Sequence, residues 1–191
     1  MSKVNIKELL LDLFSGYSFR TKVKHDPEGE VSVIQLKDLD SDYTEIGSSM
    51  SLVSSDSISS KYFLKAGDVL FISKGSNNYA IHFDKDGSYV AASAFFVLRP
   101  KVDKVDSRYL AWYLNQKHIQ QYIKDNRAGT YVPNVNKGTI ESLQIDIPPI
   151  NIQKIIARIS FLQNREYLLM NELMAKREQL ISNQLLEFLK D

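Results

Sequence analysis

Leu143-Gln144-Ile145-Asp146-Ile147-Pro148-Pro149-Ile150-Asn151-Ile152-Gln153-Lys154-Ile155-Ile156 joins two kinds of chain. Before the paired prolines, apolar residues come in short runs broken by Gly, Asp, Asn and Ser. After them, neither Gly nor Pro occurs through Asp191. The downstream part reads as one helix from about Asn151 to Lys190, roughly 60 Å long at about 1.5 Å per residue. Ile152, Ile155, Ile159, Leu162, Leu169 and Leu173 fall at helical spacing, interrupted at Glu166. The stripe then moves to Met170, Met174, Ile181, Leu185 and Phe188, a shift that resembles a stutter in a coiled coil. A preceding domain of about 150 residues cannot cover such a stripe along its whole length. The helix therefore needs another long helix, from a second copy or from a partner chain.

Working outward from that junction, residues 1–148 form one domain and residues 149–191 the helix. The first of these reads as strands and loops with one clear helix, which gives an α+β fold class. Val31-Ser32-Val33-Ile34-Gln35-Leu36 is a short apolar run after the turn-like Asp26-Pro27-Glu28-Gly29. Gly67-Asp68 turns into Val69-Leu70-Phe71-Ile72, a continuous apolar run expected to be buried on both faces. Ala91 to Leu98 is expected as a further strand, stopped by Arg99-Pro100, and the serine-rich 41–60 as an exposed insertion or long loop. Asp106-Ser107 stands where a helix N-cap belongs, ahead of a helix running from Tyr109 to about Ile123. Leu110, Tyr113, Leu114 and Lys117 share one face of it, and the aromatic residues read as core packing.

Composition sets bounds. Hydrophobic residues make up 43% and charged residues 25% of the 191, ordinary globular usage that argues against a disordered chain. With no cysteine, a disulfide framework and a thiolate metal site are both excluded. His25, His82 and His118 lie far apart without ligand spacing, so no metal or other cofactor is expected. Met1 to Phe14 mixes charges into its apolar residues, unlike a signal peptide, and no run reaches the roughly 18 apolar residues of a membrane span. The plain reading is a soluble cytoplasmic protein. Net charge is +1, with residues 1–150 balanced at 18 basic and 18 acidic groups. A nucleic-acid surface would have to come from the arrangement of charges and not from their total.

Catalytic patterns are missing. The one Pro-Pro, Ile147-Pro148-Pro149-Ile150, lacks the polar residue before it and the aromatic after it that an amino-methyltransferase loop requires. Gly16 and Gly75 stand alone and form no nucleotide-binding loop. Asp26 with Gln35-Leu36-Lys37 approaches a metal-nuclease pattern, but Gln stands where the second acid belongs. No Gly-x-Ser-x-Gly elbow is present.

Three loop segments carry chemistry suited to DNA. In Ser73-Lys74-Gly75-Ser76-Asn77-Asn78-Tyr79, Lys and Asn can address guanine and adenine edges while Ser takes phosphate. An ordinary polar hairpin turn would have the same composition. The second segment is Arg127-Ala128-Gly129-Thr130-Tyr131-Val132-Pro133-Asn134-Val135-Asn136-Lys137. From Asp106 to Ile140 the chain has five basic and two acidic residues. Asn134 and Asn136 suit bases, and Arg127 and Lys137 suit phosphates; a loop that merely returns the chain to the core is the plainer alternative. The third segment places Arg20, Lys22 and Lys24 within five residues and no acid among them, as a solvated turn also would.

The order of features resembles a known family. Leu13-Phe14-Ser15-Gly16-Tyr17-Ser18-Phe19 is similar to the Gly-Tyr-x-Phe opening of target-recognition domains in Type I restriction-modification specificity subunits. Val33-Ile34-Gln35-Leu36-Lys37-Asp38-Leu39 resembles their Val-Ile-Arg-x-Lys-Asp-Ile strand, and Leu64-Lys65-Ala66-Gly67-Asp68-Val69-Leu70 their Lys-x-Gly-Asp-Ile-Leu element. Val97-Leu98-Arg99-Pro100, the helix from Tyr109, and Ile145-Asp146-Ile147-Pro148-Pro149 with Gln153 follow in the family's order.

The resemblance implies an α+β recognition domain whose loops enter the major groove of double-stranded DNA, and a helix that spaces it from a second such domain. It also implies docking of modification (methyltransferase) and motor-nuclease subunits, with no catalysis by the specificity subunit. Full-length members carry two recognition domains and two helices that pair antiparallel; this sequence has one of each. A homodimer through Ile155, Ile159, Leu162, Leu169, Leu173, Ile181 and Leu185 would rebuild the missing half about a twofold axis. The alternatives are a fragment contributing one recognition domain to a larger subunit, and a non-catalytic scaffold held by its helix.

Overall fold

The computed structural model describes residues 2–40, 46, 47, 49–127 and 133–188. The chain divides into two compact units, Met1–Lys154 and Ile155–Asp191. The described residues of the first form a mixed α/β domain with three small sheets, and those of the second the body of one long helix.

Strand β1 (Ser2–Asn5) pairs antiparallel with β9 (Gln144–Ile147), from Ser2 opposite Ile147 to Asn5 opposite Gln144. This two-stranded ribbon ties the start of the domain to the residues just before the prolines. After the short helix α1 (Ile6–Leu9), β2 (Leu10–Ser15) enters a four-stranded antiparallel sheet. Its order is β2-β8-β5-β6, with β5 at Val69–Ile72, β6 at Ala80–His82 and β8 at Phe95–Pro100. A second sheet has the order β4-β3-β7. There β3 (Val31–Ile34) runs antiparallel to β4 (Ser51–Val53) and parallel to β7 (Tyr89–Ala91).

The core lies where these sheets meet. Leu70, Ile72, Phe83, Phe95 and Val97 from the first sheet and its hairpin pack with Ile34 and Ala91 from the second. All four residues of β5 are buried, as the continuous apolar run predicts. A buried Phe, Leu or Ile side chain contributes about 1.5–3 kcal/mol, so this cluster is a substantial source of the domain's stability. Val31, Val33, Ile58 and Val90 form a neighbouring cluster on which Tyr17, Phe19 and Val23 pack.

Several boundaries differ from the pattern-based expectation. The run from Ala91 to Leu98 is two strands in two sheets, separated by a turn closed by Phe95 N–H donating to the carbonyl of Ala92 at 3.0 Å. Moreover β8 continues through Arg99 and Pro100 instead of stopping before them. Pro100 is tolerated because it ends the strand opposite a register shift at Leu10 and Asp12, where a bulge leaves the ladder incomplete. The serine-rich stretch is not all loop: Ser51–Val53 is strand β4, and Ile58 belongs to the core. Residues 41–45 and 48 lie outside the described residues.

The helix expected from Tyr109 to Ile123 is two helices, α2 (Ser107–Leu114) and α3 (Lys117–Asp125). Asp106 caps α2, its side chain accepting from the backbone N–H groups of Arg108 and Tyr109. Asn115 ends it. Its Oδ1 accepts from Ala80 N–H and its Nδ2 donates to Ala80 O, each at 2.8 Å. The side chain thereby serves as a strand partner for the free edge of β6, which a continuing helix could not do. Leu110, Tyr113 and Leu114 are buried as the spacing predicts, whereas Lys117 is exposed at the start of α3. Helix α4 (Lys137–Glu141) then precedes β9.

Helix α5 covers Ile150–Glu187, about 57 Å at about 1.5 Å per residue. Pro149 accepts from the N–H groups of Ile152 and Gln153, opening the first turn. From residue 161 onward every described side chain except the half-buried Leu168 is exposed. The apolar stripe is therefore uncovered: Leu162 is 54% and Leu185 61% exposed.

Candidate nucleic-acid interface

The loop after β5 and the segment after residue 132 are far apart in sequence, and backbone hydrogen bonds hold them together. Val135 N–H donates to Ser73 O at 2.8 Å and Gly75 N–H donates to Pro133 O at 3.0 Å. Between these bonds Lys74 and Asn134 form an isolated antiparallel bridge. Gly75 turns the chain at a φ of +101°, a left-handed conformation that favours glycine. Two loops singled out separately in the sequence thus become one surface.

That surface belongs to a cleft of about 450 Å³. Ser73, Lys74, Asn134, Val135 and Asn136 line it, together with Ser93 from the turn between β7 and β8. The rest of the lining comes from the end of β2 and the residues following it, including Phe14, Ser15, Gly16 and Ser18, and from the turn bearing Lys61 and Tyr62. Asp12 and Phe96 also line it, and Asp12 is the one acidic residue among the described lining residues. The lining therefore contributes two ammonium groups, four serines and two asparagine amides against one carboxylate, a set suited to a polyanion with polar edges.

The sequence-selected residues divide by what the fold has already done with them. Asn134 is exposed, and its side chain makes no hydrogen bond among the described residues. Lys74 is exposed, and its ammonium lies 3.4 Å from Ser93 Oγ. Asn136 spends its Oδ1 on the N-terminus of α4, accepting from Thr139 N–H at 2.8 Å and Thr139 Oγ1 at 3.1 Å. Ser73 is buried and donates its hydroxyl to Ala94 O at 2.9 Å. Asn78 is also buried: its Nδ2 donates to Ile72 O, and its Oδ1 accepts from Arg127 at 3.3 Å. Arg127 donates as well to Ser76 O at 3.1 Å. Arg127 and Asn78 therefore rigidify the β5–β6 hairpin from within. Ser76, Asn77 and Tyr79 are exposed on that hairpin and do not line the cleft. Lys137 lies at 3.6 Å from Glu141 one turn along α4. Arg20, Lys22 and Lys24 are exposed and do not line the cleft either. Thr130 and Tyr131 lie outside the described residues.

Sequence reasoning missed Lys61, Ser15, Ser18 and Ser93 as part of this cleft. Ser15 and Ser18 flank Gly16-Tyr17, and here a signal existed. A Cβ on Gly16 would stand 2.2 Å from Ala92 O, so only glycine lets this segment cross the β7–β8 turn. Lys61 and Ser93 carried no local signal, because only the sheet packing brings them in.

Asp68, Arg99 and Gln153 hold the frame around the cleft. Asp68, 1% exposed, accepts two hydrogen bonds from Arg99, Nε to Oδ1 at 2.8 Å and NH2 to Oδ2 at 2.7 Å. This bidentate bond with the Asp68 carboxylate holds the Arg99 guanidinium above its ordinary pKa. Gln153, 1% exposed, accepts from Asp106 N–H and donates to the carbonyls of Lys104 and Pro148, fixing the first turn of α5. Among the described residues no group of three or more His, Asp or Glu side chains is placed to hold a metal ion. No helix among them is long and apolar enough to cross a membrane.

A mixed α/β domain whose loops converge on an open polar cleft, continued by one long helix, defines a loop-built recognition module. The chain belongs to the family of Type I restriction modification DNA specificity domains, whose profile matches residues 1–181. It is 31% identical over 112 residues to the Type I restriction enzyme MjaVIII specificity subunit of Methanocaldococcus jannaschii, covering 54% of this chain and 25% of that one. A putative MjaX specificity subunit of the same organism is 31% identical over 106 residues. Among solved structures, the fold is similar to the HsdS subunit of Thermoanaerobacter tengcongensis (TM-score 0.65, 19% identity, 88% of this chain and 43% of that one). It is also similar to the S subunit of a Type I restriction-modification system from M. genitalium (TM-score 0.57, 20% identity, 86% and 39%). The chain thus spans about a quarter of the curated relatives' length and about two-fifths of the solved chains.

Proposed function

We propose that this chain is a half-length specificity subunit of a Type I restriction-modification system. It binds double-stranded DNA sequence-specifically through the cleft and catalyses nothing itself. It pairs with a second copy through α5 and brings methyltransferase and motor-nuclease subunits to a bipartite site. The observation that carries the DNA reading is the bridge between Lys74 and Asn134, which sets an uncommitted amide beside an ammonium group at the cleft. Asn addresses adenine by paired hydrogen bonds in the major groove, and Lys addresses guanine or phosphate.

The test is selection of bound duplexes from a random library by the intact protein, by Asn134→Ala and by Lys74→Ala. Asn134→Ala is expected to erase the preference at one base pair, worth about 1–3 kcal/mol of discrimination. Both variants should melt with the parent protein, because both side chains are exposed. A parent protein that recovers no preferred sequence defeats the proposal.

A further inference from the structure

We infer that Lys61, with the hydroxyls of Ser15 and Ser18, forms a seat for a DNA backbone phosphate inside the cleft, separate in role from the Lys74–Asn134 bridge. The inference rests on the proposed DNA reading and assigns a positioning site to residues outside the three loops that the sequence marked.

The seat is built on an aromatic base. Tyr62 lies edge-on to Phe14 and Tyr17, with ring centroids at 6.3 Å and 5.2 Å. Tyr17 in turn donates its hydroxyl to Ser57 O at 3.0 Å. The Lys61 ammonium stands 4.9 Å from the centroid of the Tyr62 ring, and no ion pair is assigned to it among the described residues. A cation resting on an aromatic face keeps its charge and its three donors for an incoming anion. Gly16 presses against the carbonyls of Ala91 and Ala92, which fixes the backbone between Ser15 and Ser18. Both serines are exposed at the cleft lining and make no side-chain hydrogen bond among the described residues.

Asp12 is the carboxylate that such an anion would meet. It stands opposite Arg99 in the β2–β8 register, and its Oδ1 accepts from Leu13 N–H at 2.8 Å. The guanidinium across the ladder attracts this carboxylate at longer range, while its own hydrogen bonds go to Asp68 and Phe63 O. A free phosphate meets the same donors but brings no duplex for the bridge to engage, so it binds far more weakly than a phosphodiester held by both.

The experiment measures DNA affinity against salt for the full chain, for Lys61→Gln, and for Lys85→Gln, whose lysine does not line the cleft. Each phosphate contact contributes about 0.9 to the slope of log affinity against log salt. Lys61→Gln is expected to make the slope shallower by about that amount and to weaken all sequences equally, leaving the selected motif unchanged. Lys85→Gln should leave the slope unaltered, and inorganic phosphate at matched ionic strength should not compete. An unchanged slope for Lys61→Gln, an altered motif, or full competition by inorganic phosphate overturns the seat while DNA recognition stands. A parent protein without salt-dependent duplex binding overturns both readings.

Discussion

Arg99 and Asp68 join the turn before β5 to the end of β8 across 31 residues of sequence. Removing one member of a buried pair strands the other charge, which costs about 3–5 kcal/mol. Arg99→Met should therefore lower the unfolding free energy by about that much in a denaturant titration, and a loss below 1 kcal/mol would show that water reaches the carboxylate. Tyr109 gives a second expectation at the same scale. It is 2% exposed and donates its hydroxyl to Asp146 O at 2.6 Å. Burial first, then the neighbouring Tyr113 and Asp146, push its pKa up to about 12. In the unfolded chain a tyrosine ionises near pH 10. Folding thus holds the proton more tightly, and the stability this gives is complete below about pH 10 and is lost as pH rises toward 12. Thermal melts from pH 8 upward should fall less steeply in this window for Tyr109→Phe than for the parent protein. Gly16, Asp68, Arg99 and Gln153 are recognisable in the sequence because the frame needs them, and none of them has an exposed group to offer a ligand beyond what the frame uses.

At the scale of elements, helix α5 was legible from its composition, since an uninterrupted run without Gly or Pro at 3–4 spacing has few other solutions. The break between α2 and α3 was not. Nothing in Leu114-Asn115-Gln116-Lys117 disfavours a continuous helix strongly, and the stop comes from the edge of β6, which engages Asn115. For the same reason the run Ala91 to Leu98 concealed a change of sheet: its turn at residues 92–94 is set by Gly16 and Tyr17 crossing it. The exposed stripe of α5 leads to a further expectation. Leu162→Glu with Leu169→Glu would place charges in a helix seam, so self-association measured by light scattering should be lost. Melting of the first unit should be unaffected, because both positions are already exposed. A parent chain that is monomeric at every concentration would refute pairing of two copies.

For the whole molecule, two copies paired about a twofold axis would present two identical clefts, so the bound site should contain one half-sequence repeated in inverted orientation around a fixed spacer. Two unrelated half-sites recovered in selection would instead indicate a different partner chain. The class of fold, the long helix, the strongly buried β5 and the order of the framework motifs could all be read from the chain alone. Each of these follows from local periodicity or from residue types that only one backbone geometry accommodates. Tertiary structure alone decided where the cleft lies and which polar side chains remain available in it. Those facts depend on contacts between segments distant in sequence: Pro133–Val135 against Ser73–Gly75, and Lys61 and Ser93 against the end of β2. It also decided that Asn78, Asn136 and Arg127 are engaged in the fold while Asn134 and Lys74 face outward. An asparagine's composition is the same in either case; only the neighbours that accept or donate to it assign it to the scaffold or to the surface.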